Sequence, residues 1–308
     1  MDALSDILKT IRLHTSTYFC SHFNTHWGME IDKRESGLFH VLVEGSCWLK
    51  ADNQKEPVRI NEGDIVAFPT RGAHWIGDAL ESERLPGTEA VSRIVSGDNP
   101  FYKTSDDQHS NIRNTLMCGA FEYDSSIRHP LIRGLPCFIH IKGNENSDIG
   151  WLKTLIQVLS SETRQPSPGS TIVSDRLTEI LFIQLLRLYM NKNNPENGYL
   201  QALADTRIGK VLNLIHNEHE NLWTVNTLAD QAALSRSAFT ERFTRMVGES
   251  PKSYLMNWRM QKARRLLTES KLSMQVIAEK TGYASEAAFS KAFKQNFGIS
   301  PGAYRKIS

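Results

Sequence analysis

Apolar and polar positions alternate along the first part of this chain and switch to a helical period further on. Residues 37–51, "GLFHVLVEGSCWLKA", alternate with a period of two, and 57–78 hold two short apolar runs around the turn Asn61-Glu62-Gly63-Asp64. That pattern predicts half-buried β-strands, and "NTLMCGAFEYD" (114–124) and "PCFIHIKG" (136–143) continue it. The intervening 79–111 is polar and rich in Gly, Ser, Asp and Glu, which predicts a mobile loop. From residue 149 the period becomes helical, with Leu152, Leu155, Ile156 and Leu159 on one face. A Pro/Gly/Ser run at 165–170 breaks the chain before a second helix at 171–190. Ile180, Leu181, Ile183, Leu185, Leu186 and Leu188 give that helix more apolar surface than one face needs. The excess predicts burial against the strands or against a second copy of the chain. Polar residues 191–205 read as a linker, within which Tyr199, Leu200 and Leu203 could begin a docked turn.

Residues 206–308 are helical in pattern throughout, with helices expected at about 206–219, 224–232, 235–247, 251–268, 273–281, 285–297 and from 301. One pattern is written twice there. Phe239, Phe243, Gly248, Pro251 and Tyr254 return as Phe289, Phe293, Gly298, Pro301 and Tyr304. Each copy is a short helix, a tight turn and a second helix, the helix-turn-helix arrangement. Thr224, Ser235, Ser273 and Ser285 stand where N-caps belong, and Gly282 stands where a left-handed cap would end a helix. A plain helical bundle would explain the apolar positions but neither the caps nor the local charge.

That charge changes the picture. The whole chain is nearly neutral at +2, yet residues 206–308 hold 16 Lys/Arg against 8 Asp/Glu, leaving 20 against 26 in the remainder. A basic module for a polyanion, joined to a domain with another task, fits this asymmetry. With the apolar faces buried, Arg236, Ser237, Thr240, Glu241 and Thr244 are the exposed positions of the first unit's second helix. Glu286, Ala287, Ser290, Lys291 and Lys294 are those of the second. These are the candidate base readers, because the N-terminal part of such a helix reaches base edges. Arg242, Arg245, Lys252, Arg305 and Lys306 suit phosphates.

The run "IAEKTGYASEAAFSKAFKQNFGISPGAYR", preceded by "ADQAALSRSAFTERFTRMVGESPKSYLMNWRMQKARRLL", resembles the DNA-binding module of AraC/XylS-family transcriptional regulators. The resemblance covers about 100 residues and implies that matching positions in both second helices contact double-stranded promoter DNA. Ser237 and Ala287 depart from it, since relatives often carry large or long polar side chains there. Site preference therefore cannot be copied from a relative. Upstream, "FHVLVEG…GDIVAFP…GAHW" resembles the cupin-like, double-stranded β-helix effector domain that regulators of this type often carry. Enzymatic cupins hold metal with a closely spaced His pair, a Glu and a later His. Here His40 lacks its pair, because Leu42 fills the second position. His40 and His74 remain candidates for a polar effector or a metal ion, against the simpler reading of satisfied barrel histidines.

Other groups carry weaker signals. Cys20, His22 and His26, and His216 with His219, have spacings that could ligate a metal, although surface histidines are common. Cys118, with Cys20 as partner, is a candidate redox-responsive thiol pair, against the simpler reading of inert buried thiols. The chain is expected to be an α+β, two-domain protein: a cupin-like sensing domain at 1–145, a helical dimerisation and linker region at 146–205, and a DNA-binding domain at 206–308. The expected function is a sequence-specific regulator rather than an enzyme, homodimeric and cytoplasmic. RNA polymerase would be a partner if it activates, and no membrane is involved. The rival is a metal-dependent cupin enzyme with an accessory helical domain.

Overall fold

Where the sequence alternates, strands form, and their burial shows which faces are covered. The computed structural model describes residues 2–11, 13–33, 36–70, 72–103, 113–123, 129–143, 150–191 and 198–307. Ten strands are found among them: β1 (His14–Phe23), β2 (Gly28–Ile31), β3 (Gly37–Glu44), β4 (Ser46–Ala51), β5 (Val58–Asn61), β6 (Ile65–Phe68), β7 (His74–Gly77), β8 (Leu85–Pro86), β9 (Asn114–Glu122) and β10 (Ile139–Ile141). They make two five-stranded sheets, ordered β1-β9-β3-β6-β10 and β5-β4-β7-β2-β8. Pairing is antiparallel except between β2 and β8. Phe19, Leu42, Phe68 and Leu116 of the first sheet share one core with Met29, Leu49, Ile60 and Ile76 of the second.

β4 alternates strictly between buried and half-buried positions, as a strand covered on one face should. β3 and β9 are buried on both faces along most of their length. Helices account for the difference. α4 (Gly150–Arg164) and α5 (Ser170–Asn191) lie against β1, and α5 reaches β10. Phe182 of α5 sits 4.5 Å from Phe121 of β9. The inner face of α5 is thereby buried (Leu181, Phe182, Leu185, Leu186), while Ile172, Val173 and Ile180 stay exposed. Residues 79–111, expected as a loop, contain β8 and the helix α2 (Gly87–Val95), which buries Ala90 and Ile94; 104–111 lie outside the described residues.

The remaining helices form a separate unit: α1 (Ala3–Thr10), α3 (Pro130–Arg133), α6 (Tyr199–Ala204), α7 (Ile208–Asn217), α8 (Val225–Gln231), α9 (Arg236–Val247), α10 (Pro251–Glu269), α11 (Met274–Lys280), α12 (Glu286–Phe297) and α13 (Pro301–Ile307). From α7 onward each matches an expected helix within two or three residues. The division of the chain differs from the one expected at 145 and 205. The helical unit comprises Met1–Arg12, Asp124–Gly134 and Asn193–Ser308, and the sheet unit Leu13–Tyr123 and Leu135–Lys192. The chain therefore crosses between units four times. Part of the expected linker is a helix whose Tyr199 and Leu200 are buried.

Candidate nucleic-acid interface

Both helix-turn-helix units are built by the same local chemistry. The side chains of Thr224, Ser235, Ser273 and Ser285 each accept a hydrogen bond from the backbone N–H three residues on, capping α8, α9, α11 and α12. The two turns close in the same way: Leu234 N donates to Ala229 O at 3.1 Å, and Tyr283 N to Ala278 O at 2.9 Å. This six-residue closure places one residue in the left-handed region, Ala233 (φ +51°) in the first turn and Gly282 (φ +74°) in the second. Gly248 and Gly298 end α9 and α12 with φ of +86° and +79°.

α10 is shared by both units. Its Met260, Ala263 and Leu267 complete the core of the second, around Ile277, Phe289 and Phe293. Its Tyr254 meets Phe243 of the first unit edge-on at 5.7 Å. With those faces buried, Arg236, Ser237, Glu241, Thr244 and Arg245 are exposed on α9, and Thr240 is half-buried. On α12, Glu286, Ala287, Lys291 and Lys294 are exposed and Ser290 is half-buried. The positions proposed from sequence thus line the outer faces of the two second helices.

Two of the expected phosphate contacts turn inward instead. Arg305 donates from Nη2 to the Leu272 carbonyl at 2.6 Å, fastening α13 to the segment that enters α11. Arg242 pairs with Asp205. A guanidinium fixed on an internal acceptor organises the unit before it meets any phosphate. Lys252 and Lys306 remain exposed.

Beneath α10 lies a buried polar network that sequence reasoning missed. Asp6 of α1 accepts from Lys262 Nζ at 2.5 Å and faces His216 Nδ1 at 3.2 Å. His216 Nε2 lies 2.7 Å from the Tyr254 hydroxyl, which also meets the Tyr199 hydroxyl and His129 Nε2. Hydrogen-bond logic fixes the protons. His216 Nδ1–H donates to the carboxylate, so its Nε2 accepts from Tyr254 O–H. His129 Nδ1 accepts from Leu131 N, so its Nε2–H donates to the Tyr254 oxygen. Burial alone would raise the Asp6 pKa, but hydrogen bonds from His216 and Lys262 and the Lys262 charge outweigh it and lower it. Burial also lowers the pKa of His216 and, more strongly, of His129, keeping both neutral. Local sequence could not reveal this site, because Asp6 lies 210 residues from His216 and 256 from Lys262.

In the sheet unit, His40 of β3 and His74 of β7 do converge, from opposite sheets, with Nε2 atoms 2.7 Å apart. His74 Nδ1–H donates to the Gly72 carbonyl (3.0 Å), so its Nε2 accepts from His40 Nε2–H. His40 Nδ1 then accepts from the Cys118 thiol at 2.9 Å. Burial, with His74 alongside, holds the His40 pKa well down, and burial holds the Cys118 thiol well up, so Cys118 and His40 are both uncharged. Two imidazoles on one ion, with bonds of about 2.0–2.1 Å and tetrahedral angles, would stand roughly 3.3 Å apart. The 2.7 Å spacing is a hydrogen bond and does not fit a metal. Leu42, where a further ligand would be needed, is fully buried in the core. The cavity beside His40 and Cys118, lined by Tyr18, Met29, Leu38 and Val91, measures about 20 Å³, the room of a single water.

The other candidate groups disperse. The β1–β9 register pairs Cys20 with Met117 and Cys118 with Phe19, so the two thiols point to opposite faces of the sheet and cannot partner each other. Cys20 instead meets Ser160 Oγ at 3.2 Å. His22 bonds Thr115 and Arg164, and His26 bonds Asp78. His219 lies beside Glu220, within electrostatic reach of Asp6, Lys262 and His216. Among the described residues no helix is long and apolar enough to cross a membrane.

Comparison with known proteins completes the description. Residues 2–191 match the family model described as Cupin, and residues 228–307 that described as Helix-turn-helix domain. The chain is 32% identical over 312 residues to the HTH-type transcriptional regulator AlkR of Acinetobacter baylyi, covering 100% of both. It is 31% identical over 269 residues to the RCS-specific HTH-type transcriptional activator RclR of Escherichia coli, covering 87% of this chain and 84% of that one. The crystal structure of the DNA-binding domain of AdpA in complex with a target DNA is 33% identical over 33% of this chain and 93% of its own, with a TM-score of 0.32.

Proposed function

Because the chain belongs to the AraC-type helix-turn-helix transcriptional regulators that carry a cupin domain, we propose that it reads a non-palindromic promoter site through α9 and α12. The observation that supports this reading is the pair of exposed, unequal recognition faces on one shared helix. Arg236 and Glu241 offer a guanine donor and a cytosine acceptor on α9; Lys291 and Lys294 offer two donors on α12. Ser237, Thr240, Ser290 and Ala287 suit small contacts such as the thymine methyl, and Thr244, Arg245 and Glu286 border the same faces. Lys252 and Lys306 serve the phosphates, and Arg305 positions α13.

In this reading the protein works in the cytoplasm as a homodimer joined through the exposed face of α5, and engages RNA polymerase where it activates. A signal is received in the sheet unit around the Cys118–His40–His74 chain, where any effector must first open packed side chains. The rival enzyme reading would need a ligand where Leu42 packs.

Gel-shift titration on the promoter fragment upstream of its own gene tests the assignment. A salt-sensitive, sequence-preferring shift is expected. Lys291→Ala should change base preference, whereas Lys252→Ala should weaken every sequence alike, by about 3- to 10-fold, and lower the salt slope by about one. A shift that competitor DNA removes as easily as specific DNA would defeat it.

A further inference from the structure

Asp6 is only 3% exposed, on a helix whose partner His216 lies 210 residues further along the chain. Around it α1 buries Ala3, Ile7 and Leu8, with Ile11 just beyond its end, and α1 packs on α7 and α10. The Ala3 N–H donates to Asn213 Oδ1 of α7 at 2.7 Å, so α7 satisfies a backbone group that the helix start leaves open. Lys262, whose Nζ meets Asp6, also sits 4.9 Å over the Trp258 ring, and Trp258 packs 4.0 Å from His216. From His216 the bonds run to Tyr254, and Tyr254 touches Phe243 inside α9. None of these groups belongs to the core of the second unit, which is built from Met260 onward.

We propose that Asp6 is a positioning residue of the DNA reader: through Lys262 and His216 it fixes α10, and through Tyr254 and Phe243 it sets the first recognition helix, α9. Residues 3–11 are then a working part of the DNA-binding domain, and the reader is incomplete as a fragment beginning near residue 206. This rests on the DNA-reading assignment above. The logic is electrostatic. A carboxylate shared between an ammonium and an imidazole N–H leaves both unpaired in a low-dielectric site when it is removed, which costs more than the pair's net contribution. The strain falls on α10 and the first unit, where the partners sit. The second unit, whose core, caps and Arg305–Leu272 bond include none of these partners, keeps its shape.

The test uses the full chain. In Asp6→Ala, binding to the promoter fragment should fall at least 10-fold, and hydroxyl-radical footprinting should lose the segment covered by α9 while keeping that covered by α12. Asp6→Ala with Lys262→Met, which leaves no unpaired ammonium and only the neutral His216 N–H without its acceptor, should recover at least 3-fold of the lost affinity, since an unpaired buried charge costs more than an unpaired neutral donor. Without DNA, amide exchange in Asp6→Ala should speed up at least 10-fold in α7, α9 and the first half of α10, with α12 unchanged. Wild-type affinity and exchange in Asp6→Ala, loss spread equally over both footprint halves, or a double variant no better than the single one would each overturn the proposal. A wild-type chain that binds no promoter fragment would remove the DNA assignment, while the exchange pattern would still decide whether Asp6 sets α9.

Discussion

Ala233 and Gly282 occupy the same place in the two repeats, the left-handed residue that lets the chain leave the first helix of each unit. An L-residue there costs roughly 1–2 kcal/mol, and glycine gives back about 0.5–1 kcal/mol through its looser unfolded chain. Ala233→Gly should therefore stabilise the protein by about 0.5–1 kcal/mol. Gly282→Ala should destabilise by about 2 kcal/mol or more, because a Cβ would lie 2.7 Å from the Arg259 guanidinium and 2.8 Å from the Glu220 carbonyl. That guanidinium cannot swing aside freely, since it donates to the His219 and Asn221 carbonyls. Urea unfolding of the two variants checks this, and equal effects would refute it. At this scale the caps were legible, because a hydroxyl three residues before the N–H it accepts from is a local signal. The Asp6 network was not. A carboxylate on a short amphipathic helix looks solvated until its partners arrive from the far end of the chain. The inward turn of Arg305 was hidden for the same reason: no local rule tells a phosphate arginine from one that finds a carbonyl 33 residues away.

Among the elements, α5 carries the clearest surplus. Its sequence announced apolar surface beyond one face, and one suggested outlet is filled: Leu181, Phe182, Leu185 and Leu186 are buried, while Ile172, Val173 and Ile180 stay exposed, with Ile172 at 69%. Trp151 and Val158 of α4 add exposed surface about two helical turns apart. If this face joins two copies, Ile172→Glu with Ile180→Glu should convert the protein from dimer to monomer in light scattering, with the helical signal unchanged because neither side chain is in the core. A monomeric wild type, or a dimeric variant, would remove α5 from the interface. The helix α2 was misread for a matching reason. Its apolar face of Ala90, Val91 and Ile94 does follow a helical period, but over nine residues only, inside a long polar stretch that hid it. The helices from α7 onward were legible because α8 to α12 each begin at a hydroxyl cap, while α7, without one, carries the apolar stripe Ile208, Val211, Leu212 and Ile215.

For the whole molecule, two readers on one rigid helix constrain the DNA more than either alone. α10 has 19 residues, about 28 Å of helix, close to the roughly 34 Å between adjacent major grooves. Inserting about five base pairs between the two half-sites should cost at least 10-fold in affinity, by turning one groove to the opposite face. An insertion of about ten should restore little, since a helix of fixed length cannot reach one turn further. Recovery at ten in gel-shift titration would mean that the readers are flexibly joined. The partition between units was illegible from sequence, which shows order along the chain but not which distant segments share a core. The separation of Asp6 and Lys262 by 256 residues also has a consequence on the ribosome. At about 5–20 residues per second, the first helix waits roughly ten to fifty seconds for its partner to be made. Through that interval its Asp6 lacks its ammonium partner, and a chain that stalls before α7 leaves Ile7 and Leu8 open to chaperones and proteases.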